Sequence, residues 1–255
     1  MYIDTHAHLD FDSFDNDRDA VIQRAIENKI STIITIGTNL ESSRKAVKYA
    51  DNYASIYAAV GIHPSDCAEA AEQDYSEIEK LAQHEKVIAI GEIGLDYYRM
   101  YTDKETQKKA FKKQIALARK LKLPVIVHNR ESQQDVLDMM IAENAAEVSG
   151  VLHSFTGTME FLEQVLKTDF YLSYTGGVTF KNSTTDELII NTPVERMLLE
   201  TDSPFITPEP FRGKRNEPSY ILHTARRIAD LKGIKLEELA AITSANARHL
   251  FALPE

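Results

Sequence analysis

A chain of 255 residues can bury a sizeable hydrophobic core, and because no Pro-, Gly- or Ser-rich linker divides it, we expect a single domain over residues 1–255. The net charge of −10 argues against indiscriminate binding to nucleic acid through overall charge, although a local basic patch remains compatible with an acidic body. No apolar run approaches the roughly 18 residues that span a bilayer, and no signal-like segment opens the chain, so we expect a cytoplasmic protein that needs neither a membrane nor an obligate protein partner.

Strand-like and helix-like segments alternate from the first residues onward. In the first part of the chain we expect a strand over 2–8, a helix over 16–28, a strand over 32–36, a helix over 40–51 and a strand over 55–60. Asp74 has the character of a helix cap, with Glu77 three positions later completing a capping-box pattern. The strand that follows is predicted to end at Glu92.

The second part of the chain continues the alternation. Thr102 and Glu105 resemble the ends of another capping box, and apolar residues recur at helical spacing beyond them. Pro124 is predicted to open a strand, where its missing amide hydrogen is tolerable. We then expect helices over 131–144 and 158–167, strands over 149–153, 169–173 and 196–200, and helices from 219 onward.

About eight strands separated by helices satisfy the count of a (β/α)₈ TIM barrel in the α/β class, and an open doubly wound sheet is the alternative. The Val-, Ile- and Leu-rich runs indicate strands that are covered on both faces. We favour the barrel because its active sites lie where strands end and βα loops begin.

Six potential metal ligands lie at such strand ends: His6, His8, Glu92, His128, His153 and Asp202. The first two are separated by one residue of a strand, so their side chains project to the same side and could chelate one ion. A lone histidine is usually a surface or hydrogen-bonded residue, and an acid at a barrel rim can be an ion-pair partner. Imidazole and carboxylate together, without thiolate, instead indicate a catalytic site for a divalent cation.

Motifs around these residues closely resemble those of the TatD-type metal-dependent deoxyribonucleases, and they occur in the same order. The resemblance covers positions 4 to 218 and rests on His6-Ala7-His8, Gly91-Glu92-Ile93-Gly94-Leu95-Asp96, Val127-His128-Asn129-Arg130, His153-Ser154-Phe155-Thr156-Gly157, Glu200-Thr201-Asp202-Ser203-Pro204 and Arg212-Gly213-Lys214-Arg215-Asn216-Glu217-Pro218. It implies a TIM barrel of the amidohydrolase superfamily that hydrolyses DNA phosphodiesters with divalent cations.

The resemblance also implies how the ligands are shared between two cations per chain. One cation would be held by His6, His8, Glu92 and Asp202, and the other by Glu92, His128 and His153, so that Glu92 bridges them. This donor set suits Mg²⁺, Mn²⁺, Zn²⁺ and Ni²⁺ alike. We expect hydrolysis by a metal-activated water, with Glu92 and Asp202 as the catalytic residues and Asp202 as the group that orients the water and accepts its proton.

Three further residues are candidate substrate contacts near the predicted rim. His63 ends a strand and precedes Pro64, so it is assigned either a substrate-binding or a structural role. Tyr97 and Tyr98 follow Glu92 closely and could stack an unpaired base, which would favour single-stranded ends of DNA. The alternative is that these two rings only pack a loop.

Basic residues provide candidate phosphate contacts outside the ion cluster. Arg130 lies two positions after His128 and could bind a phosphate oxygen through its planar fork, or pair with an acid such as Glu131. A compact basic loop follows Asp202 and could contact the substrate or be merely solvated; it consists of Arg212, Lys214 and Arg215.

Three classes of function remain open from the residues. The first is a deoxyribonuclease, with the 3'-5' exonuclease action that the resemblance suggests. The second is a binuclear-metal amidohydrolase that acts on an amide, ester or phosphotriester of a small molecule, since fold alone does not determine the substrate. The third is a non-catalytic metal-binding or interaction protein, against which the six-ligand set argues.

Overall fold

Eight parallel strands follow one another around a nearly closed barrel in this computed structural model, which describes residues 1–254. The strands are Tyr2–Ala7 (β1), Ile30–Ile36 (β2), Ile56–Val60 (β3), Val87–Asp96 (β4), Val125–Arg130 (β5), Gly150–Leu152 (β6), Tyr171–Tyr174 (β7) and Met197–Leu199 (β8). Each strand pairs with the next along the chain. The predicted (β/α)₈ barrel is confirmed, and the open doubly wound sheet is wrong.

The seam between β8 and β1 is joined just beyond β8. Ala7 and Ser203 form a parallel bridge, and the amide of His8 donates to the carbonyl of Ser203 at 2.7 Å. The hydroxyl of Thr5 donates to the carbonyl of Leu199 at 3.0 Å. These bonds bring the first strand and the segment after the last strand side by side.

Helices follow the strands around the outside of the barrel. They are Arg18–Glu27 (α1), Leu40–Asn52 (α2), Glu72–Leu81 (α3), Lys104–Leu121 (α4), Gln133–Ala142 (α5), Met159–Val165 (α6), Asp186–Asn191 (α7), Ile221–Lys232 (α8) and Leu236–Phe251 (α9). Short 3₁₀ turns lie at Asp12–Phe14, Ala145–Glu147, Gly176–Thr179, Val194–Arg196 and Pro218–Tyr220. Across residues 1–254, none of the helices combines the length and the apolarity that a bilayer crossing requires.

Burial on both faces explains the apolar runs in the sequence, since all ten residues of β4 are buried. One large core cluster packs the helices onto the strands. A second cluster joins buried residues from seven of the strands with Phe251 of α9 and with Leu253. The C-terminal segment therefore covers apolar side chains of the sheet.

Two predicted helix caps are displaced in the structure. The helix α3 begins at Glu72, so Asp74 does not cap it; its carboxylate instead accepts from the amide of Ala71 at 2.8 Å. In α4 the cap is Asp103 and not Thr102, and it accepts from the amide of Thr106 at 3.0 Å. In each segment, neighbouring positions also carry residues that can form a capping box. The sequence pattern therefore does not identify the cap residue uniquely, which explains both errors.

Strand ends also differ from the prediction around the candidate ligands. Strand β4 continues through Asp96 and does not end at Glu92, whereas β6 ends one residue before His153. Gly94 has a φ of 138°, and a β-carbon there would lie 2.1 Å from the carbonyl oxygen of His128. Only glycine therefore allows β4 to lie this close to β5.

Candidate metal centre

Four of the predicted ligands direct their donor atoms towards one another from the end of β1, from within β4 and from the segment after β8. The Nε2 atoms of His6 and His8 are 3.2 Å apart. The Oε2 atom of Glu92 lies 3.4 Å from the first of these nitrogens and 3.7 Å from the second, and Oδ1 of Asp202 lies 3.7 and 3.4 Å from them. All four residues are buried. The four atoms therefore surround a common point.

A second group of donors surrounds the other oxygen of Glu92. Its Oε1 atom is 2.7 Å from Nδ1 of His128 and 2.7 Å from Nε2 of His153, and these two nitrogens are 3.1 Å apart. The Nε2 atom of His63 lies 3.6 Å from the same oxygen. The structure thus brings all six predicted ligands together and places His63 beside them.

The chemistry of the donors fits divalent cations. Each cluster combines imidazole nitrogens with carboxylate oxygen, and the single thiol of the chain is buried elsewhere, where Cys67 contacts the carbonyl of Pro64. The imidazole nitrogens of His6 and His8 are 3.2 Å apart, and those of His128 and His153 are 3.1 Å apart. Each pair is spaced like two nitrogen ligands of one cation. Because Glu92 presents one oxygen to each cluster, it has the geometry of a bridging carboxylate.

The electrostatic environment of the site favours the ionised form of its carboxyl groups. Burial would raise the pKa of Glu92, but contacts with His153 and His128 hold it well below its usual value. Burial also opposes ionisation of Asp202, yet contacts with His8 and His6 lower its pKa. In contrast, burial lowers the pKa of His63 to about 3, so this imidazole is neutral. Burial would lower the pKa of His8, His128 and His153, but the neighbouring acids raise it, to about 9 in His8. Because imidazole binds metals in its neutral form, a cation would displace a proton from these three side chains.

A buried acid behind His153 was missed in the sequence. Oε1 of Glu200 lies 3.5 Å from Nδ1 of this imidazole and accepts from the amide of Ser154 at 2.6 Å. Its other oxygen accepts from the hydroxyl of Ser173. A glutamate directly after an apolar strand was the available signal, because a fully buried carboxylate requires partners.

Two further acids also orient the site. Oδ2 of Asp96 lies 3.3 Å from Nε2 of His128; burial would raise the pKa of this acid, but the contact contributes to lowering it to about 2. Asp4 accepts from the hydroxyl of Thr201 at 2.6 Å and from its amide at 2.9 Å. Asp96 therefore orients the predicted ligand His128, and Asp4 fixes the start of the loop that contains Asp202.

A cavity of about 430 Å³ opens above the clusters. His63 and Arg130 line it, and Tyr98 lies beside it with its ring 4.0 Å below the guanidinium of Arg130. Arg99 and Tyr101 also line the cavity, although no pattern in the sequence indicated them. Neither arginine is paired with a carboxylate within residues 1–254, and the predicted pairing of Arg130 with Glu131 is not formed.

The other predicted substrate contacts lie apart from this cavity. Tyr97 donates from its hydroxyl to Asp135 at 2.6 Å, and the ammonium of Lys104 lies 4.1 Å from its ring centroid. These contacts correspond to the loop-packing alternative for this tyrosine. Its neighbour Tyr98 is exposed.

The basic loop is likewise placed beside the site and not in its cavity. Arg215 makes two hydrogen bonds of 2.7 Å to Asp17, so its guanidinium is held by a structural ion pair. Arg212 lies 4.1 Å from the ring centroid of Phe180, and Lys214 is exposed.

Comparisons with known proteins agree with this architecture. The family model described as TatD related DNase matches residues 3–252. An uncharacterized metal-dependent hydrolase of Bacillus subtilis, YabD, is 45% identical over 254 residues, which cover 99% of this chain and 100% of that protein. A protein of Citrobacter koseri named 3'-5' ssDNA/RNA exonuclease TatD is 34% identical over 257 residues, covering 98% of each chain.

A solved structure has the same fold. The structure of YJJV, a TatD homolog from Escherichia coli, superimposes with a TM-score of 0.93 at 29% identity and covers 99% of this chain and 98% of its own. The match therefore extends over the barrel and the C-terminal helices together. The chain belongs to the family of TatD related DNases, a family of metal-dependent hydrolases.

Proposed function

We propose that this protein hydrolyses phosphodiester bonds of DNA and acts as a 3'-5' exonuclease on single-stranded ends. The observation that carries the proposal is the position of Glu92, whose two oxygens face two separate donor clusters at the floor of one cavity. The name of the relative from Citrobacter koseri, a 3'-5' ssDNA/RNA exonuclease, supports the choice of substrate.

In this proposal the six side chains hold two divalent cations. One would be bound by His6, His8, Glu92 and Asp202, and the second by Glu92 with the remaining ligands, His128 and His153. Cations bound in such a centre lower the pKa of a water molecule, polarise a phosphoryl oxygen and stabilise negative charge in the transition state. His63 lies close enough to the second cluster to orient either a ligand or the substrate phosphate.

Asp202 acts as the general base in the proposed reaction. Its carboxylate faces the first cluster, lines the cavity and is ionised, so it can orient a water molecule and accept its proton. The water attacks phosphorus in line with the leaving oxygen and forms a new P–O bond. The bond to the leaving oxygen breaks, and this oxygen departs with the electron pair and takes up the proton that Asp202 accepted. Glu92 keeps its charge through this sequence, because the surrounding imidazoles hold its pKa low.

The arginines of the cavity supply positive charge for the substrate. Arg130 and Arg99 reach the same cavity as the ligands, and a planar guanidinium can bind two phosphate oxygens at once. The exposed Arg212 and Lys214 are proposed as contacts to more distant phosphates. These local positive charges allow phosphate to bind although the net charge of the protein is negative.

The test begins with protein that is stripped of metal and reloaded with Mg²⁺, Mn²⁺, Zn²⁺ or Ni²⁺ in turn. Labelled single-stranded and double-stranded DNA and a set of esters and amides are then offered with and without chelator. We expect chelator-sensitive cleavage of single-stranded DNA, and its loss in Glu92→Gln and in Asp202→Asn. The exposed Glu163 provides a matched control, since Glu163→Gln should retain full activity.

Two results would contradict the proposal. Hydrolysis of esters or amides without cleavage of DNA would identify a binuclear amidohydrolase with another substrate. Metal binding without turnover of any substrate, in protein whose two clusters are loaded, would identify a metal-binding protein that is not a nuclease.

A further inference from the structure

A large aromatic ring stands exposed beside the candidate ligands. Phe205 follows Asp202 by three residues, and 48% of its surface is accessible. The ring of Phe11 meets it edge to face at 5.5 Å, and the ring of His8 lies 6.0 Å from it. An exposed phenylalanine in a cavity that also contains metal ligands is a feature that folding alone does not explain.

The backbone that carries this ring is held firmly. The amide of Phe205 donates to the carbonyl of Asp202 at 2.8 Å, and its carbonyl accepts from Nδ2 of Asn216 at 2.6 Å. The same amide group of Asn216 also donates to the carbonyl of Thr201 at 2.9 Å, and Asn216 is fully buried. The backbone that carries the ring is therefore ordered in advance, which lowers the entropic cost of binding against the ring.

Two cavities meet at the phenylalanine. Phe205, Phe11, Thr38 and Asp66 line both the cavity above the ligands and a neighbouring groove of about 630 Å³. A phosphate that lies over the ligands would therefore place one of its two flanking nucleosides across the ring and into the groove.

The cavity above the ligands and the neighbouring groove are lined by different charged residues. This difference determines which part of a nucleic acid each of them can bind. The ligand cavity contains carboxylates too, most of them candidate ligands or their neighbours, but it also has Arg99 and Arg130, which suit a strand that continues with further phosphates. The groove is lined by four carboxylates and one lysine: Asp10, Asp12, Glu41, Asp66 and Lys45. A net negative groove repels phosphate, so it suits a nucleoside that carries no further phosphate.

We propose that Phe205, supported by Phe11, is the stacking platform for the base of a terminal, unpaired nucleoside, and that this contact makes the enzyme selective for single-stranded ends. The inference rests on the proposed function and deepens it. A base that is paired and stacked within a duplex cannot lie on the ring until it is unpaired. Stacking on an aromatic ring tolerates any base, because every base has a π-face.

Cleavage of oligonucleotides that differ in a single base tests the platform. Wild-type protein should cleave a single-stranded octanucleotide about tenfold faster, in kcat/KM, than the same strand with an abasic terminal residue. In Phe205→Ala the two substrates should be cleaved at similar rates, close to that of wild type on the abasic strand. The exposed Ile190 on α7 is a matched control, and Ile190→Ala should retain the wild-type preference.

A binding experiment does not depend on turnover. The chain contains no tryptophan, so Phe205→Trp introduces a single fluorescent reporter at the platform. Combined with Asp202→Asn to slow hydrolysis, it should be quenched by the octanucleotide and not by its abasic counterpart. Ile190→Trp in the same background should be quenched by neither.

The outcomes separate the two proposals. If Phe205→Ala keeps the preference for a terminal base, or if quenching is the same with both strands, the platform is disproved even when DNA is cleaved. If wild type cleaves no strand, the nuclease proposal fails, while selective quenching would still identify a base-stacking site and equal quenching would still refute it.

Discussion

The carboxylate of Glu200 lies 3.5 Å from Nδ1 of His153, whose opposite nitrogen is 2.7 Å from Glu92. The imidazole is therefore held between two acids, one that orients it and one that shares the candidate metal with it. Such partners fix the ring and increase the basicity of the coordinating nitrogen.

We expect Glu200→Gln to weaken metal binding about 10- to 100-fold without removing a ligand. Isothermal titration of metal-free protein measures the affinity, and Glu163→Gln is the control for loss of a surface charge. Partial recovery in Glu200→Asp would separate orientation from a general loss of stability. An unchanged affinity in a folded Glu200→Gln would show that His153 needs no such partner.

Removal of the shared carboxylate should affect both clusters at once. In Glu92→Gln we expect the affinity for both cations to fall by more than about 100-fold, whereas His128→Ala should lose only the second cation, because only Glu92 faces both groups. The number of ions bound per chain, measured by elemental analysis after equilibrium dialysis, checks this difference. If Glu92→Gln still retained one tightly bound ion, the bridging arrangement would be incorrect.

The ion pair between Arg24 and Glu217 predicts a specific pH dependence of stability. Two hydrogen bonds of 3.0 and 2.7 Å join them, and although burial would raise the pKa of Glu217, Arg24 and Ser219 hold it below the usual 4.5. A lowered folded-state pKa means that the pair stabilises the protein above about pH 4.5 and that this stability is lost as the pH falls through the folded-state pKa.

We therefore expect Glu217→Gln to reduce the free energy of unfolding by about 1–2 kcal/mol at pH 7, between the values for exposed and buried charge pairs. The difference from wild type should shrink steadily as the pH falls below 4.5. Urea denaturation of metal-free protein at several pH values measures it. A difference that stays constant from pH 7 to pH 3 would show that the charge of Glu217 does not contribute.

The C-terminal segment should contribute to stability through Phe251. This side chain is 2% exposed and packs in one cluster with apolar residues of the strands. Phe251→Ala should lower the free energy of unfolding by about 3–5 kcal/mol, the usual cost of a large cavity in a core. Urea denaturation compares it with Ile190→Ala on the surface, for which we expect a change of less than about 0.5 kcal/mol.

Strand order and the convergence of the ligands were predictable because both follow from local patterns. Apolar runs separated by helical segments define a barrel, and a barrel collects the ends of its strands at one rim. His6 and Asp202 thus meet although most of the chain lies between them. The short helix α7 was not predicted, since six residues provide too little periodicity for recognition.

Residues that act through tertiary contacts could not be predicted in the same way. The partner of Tyr97 is Asp135, which is distant in sequence, and no local pattern distinguishes this tyrosine from the exposed Tyr98. Phe205 is apolar and would be assigned to a core, yet the bonds of Asn216 hold its backbone so that the ring faces the cavity. The partners of Glu200 likewise come from two other strand ends.

The seam between β1 and the segment after β8 joins Asp4 to Thr201 across 197 positions of sequence, and His6 and Asp202 flank it. A cation bound by both His6 and Asp202 would stabilise this seam. It would bind only the closed barrel and would therefore add to the stability of that form. A nascent chain possesses the complete set of donors only after Asp202 has emerged from the ribosome. Hydrolytic activity would therefore begin only when the barrel can close.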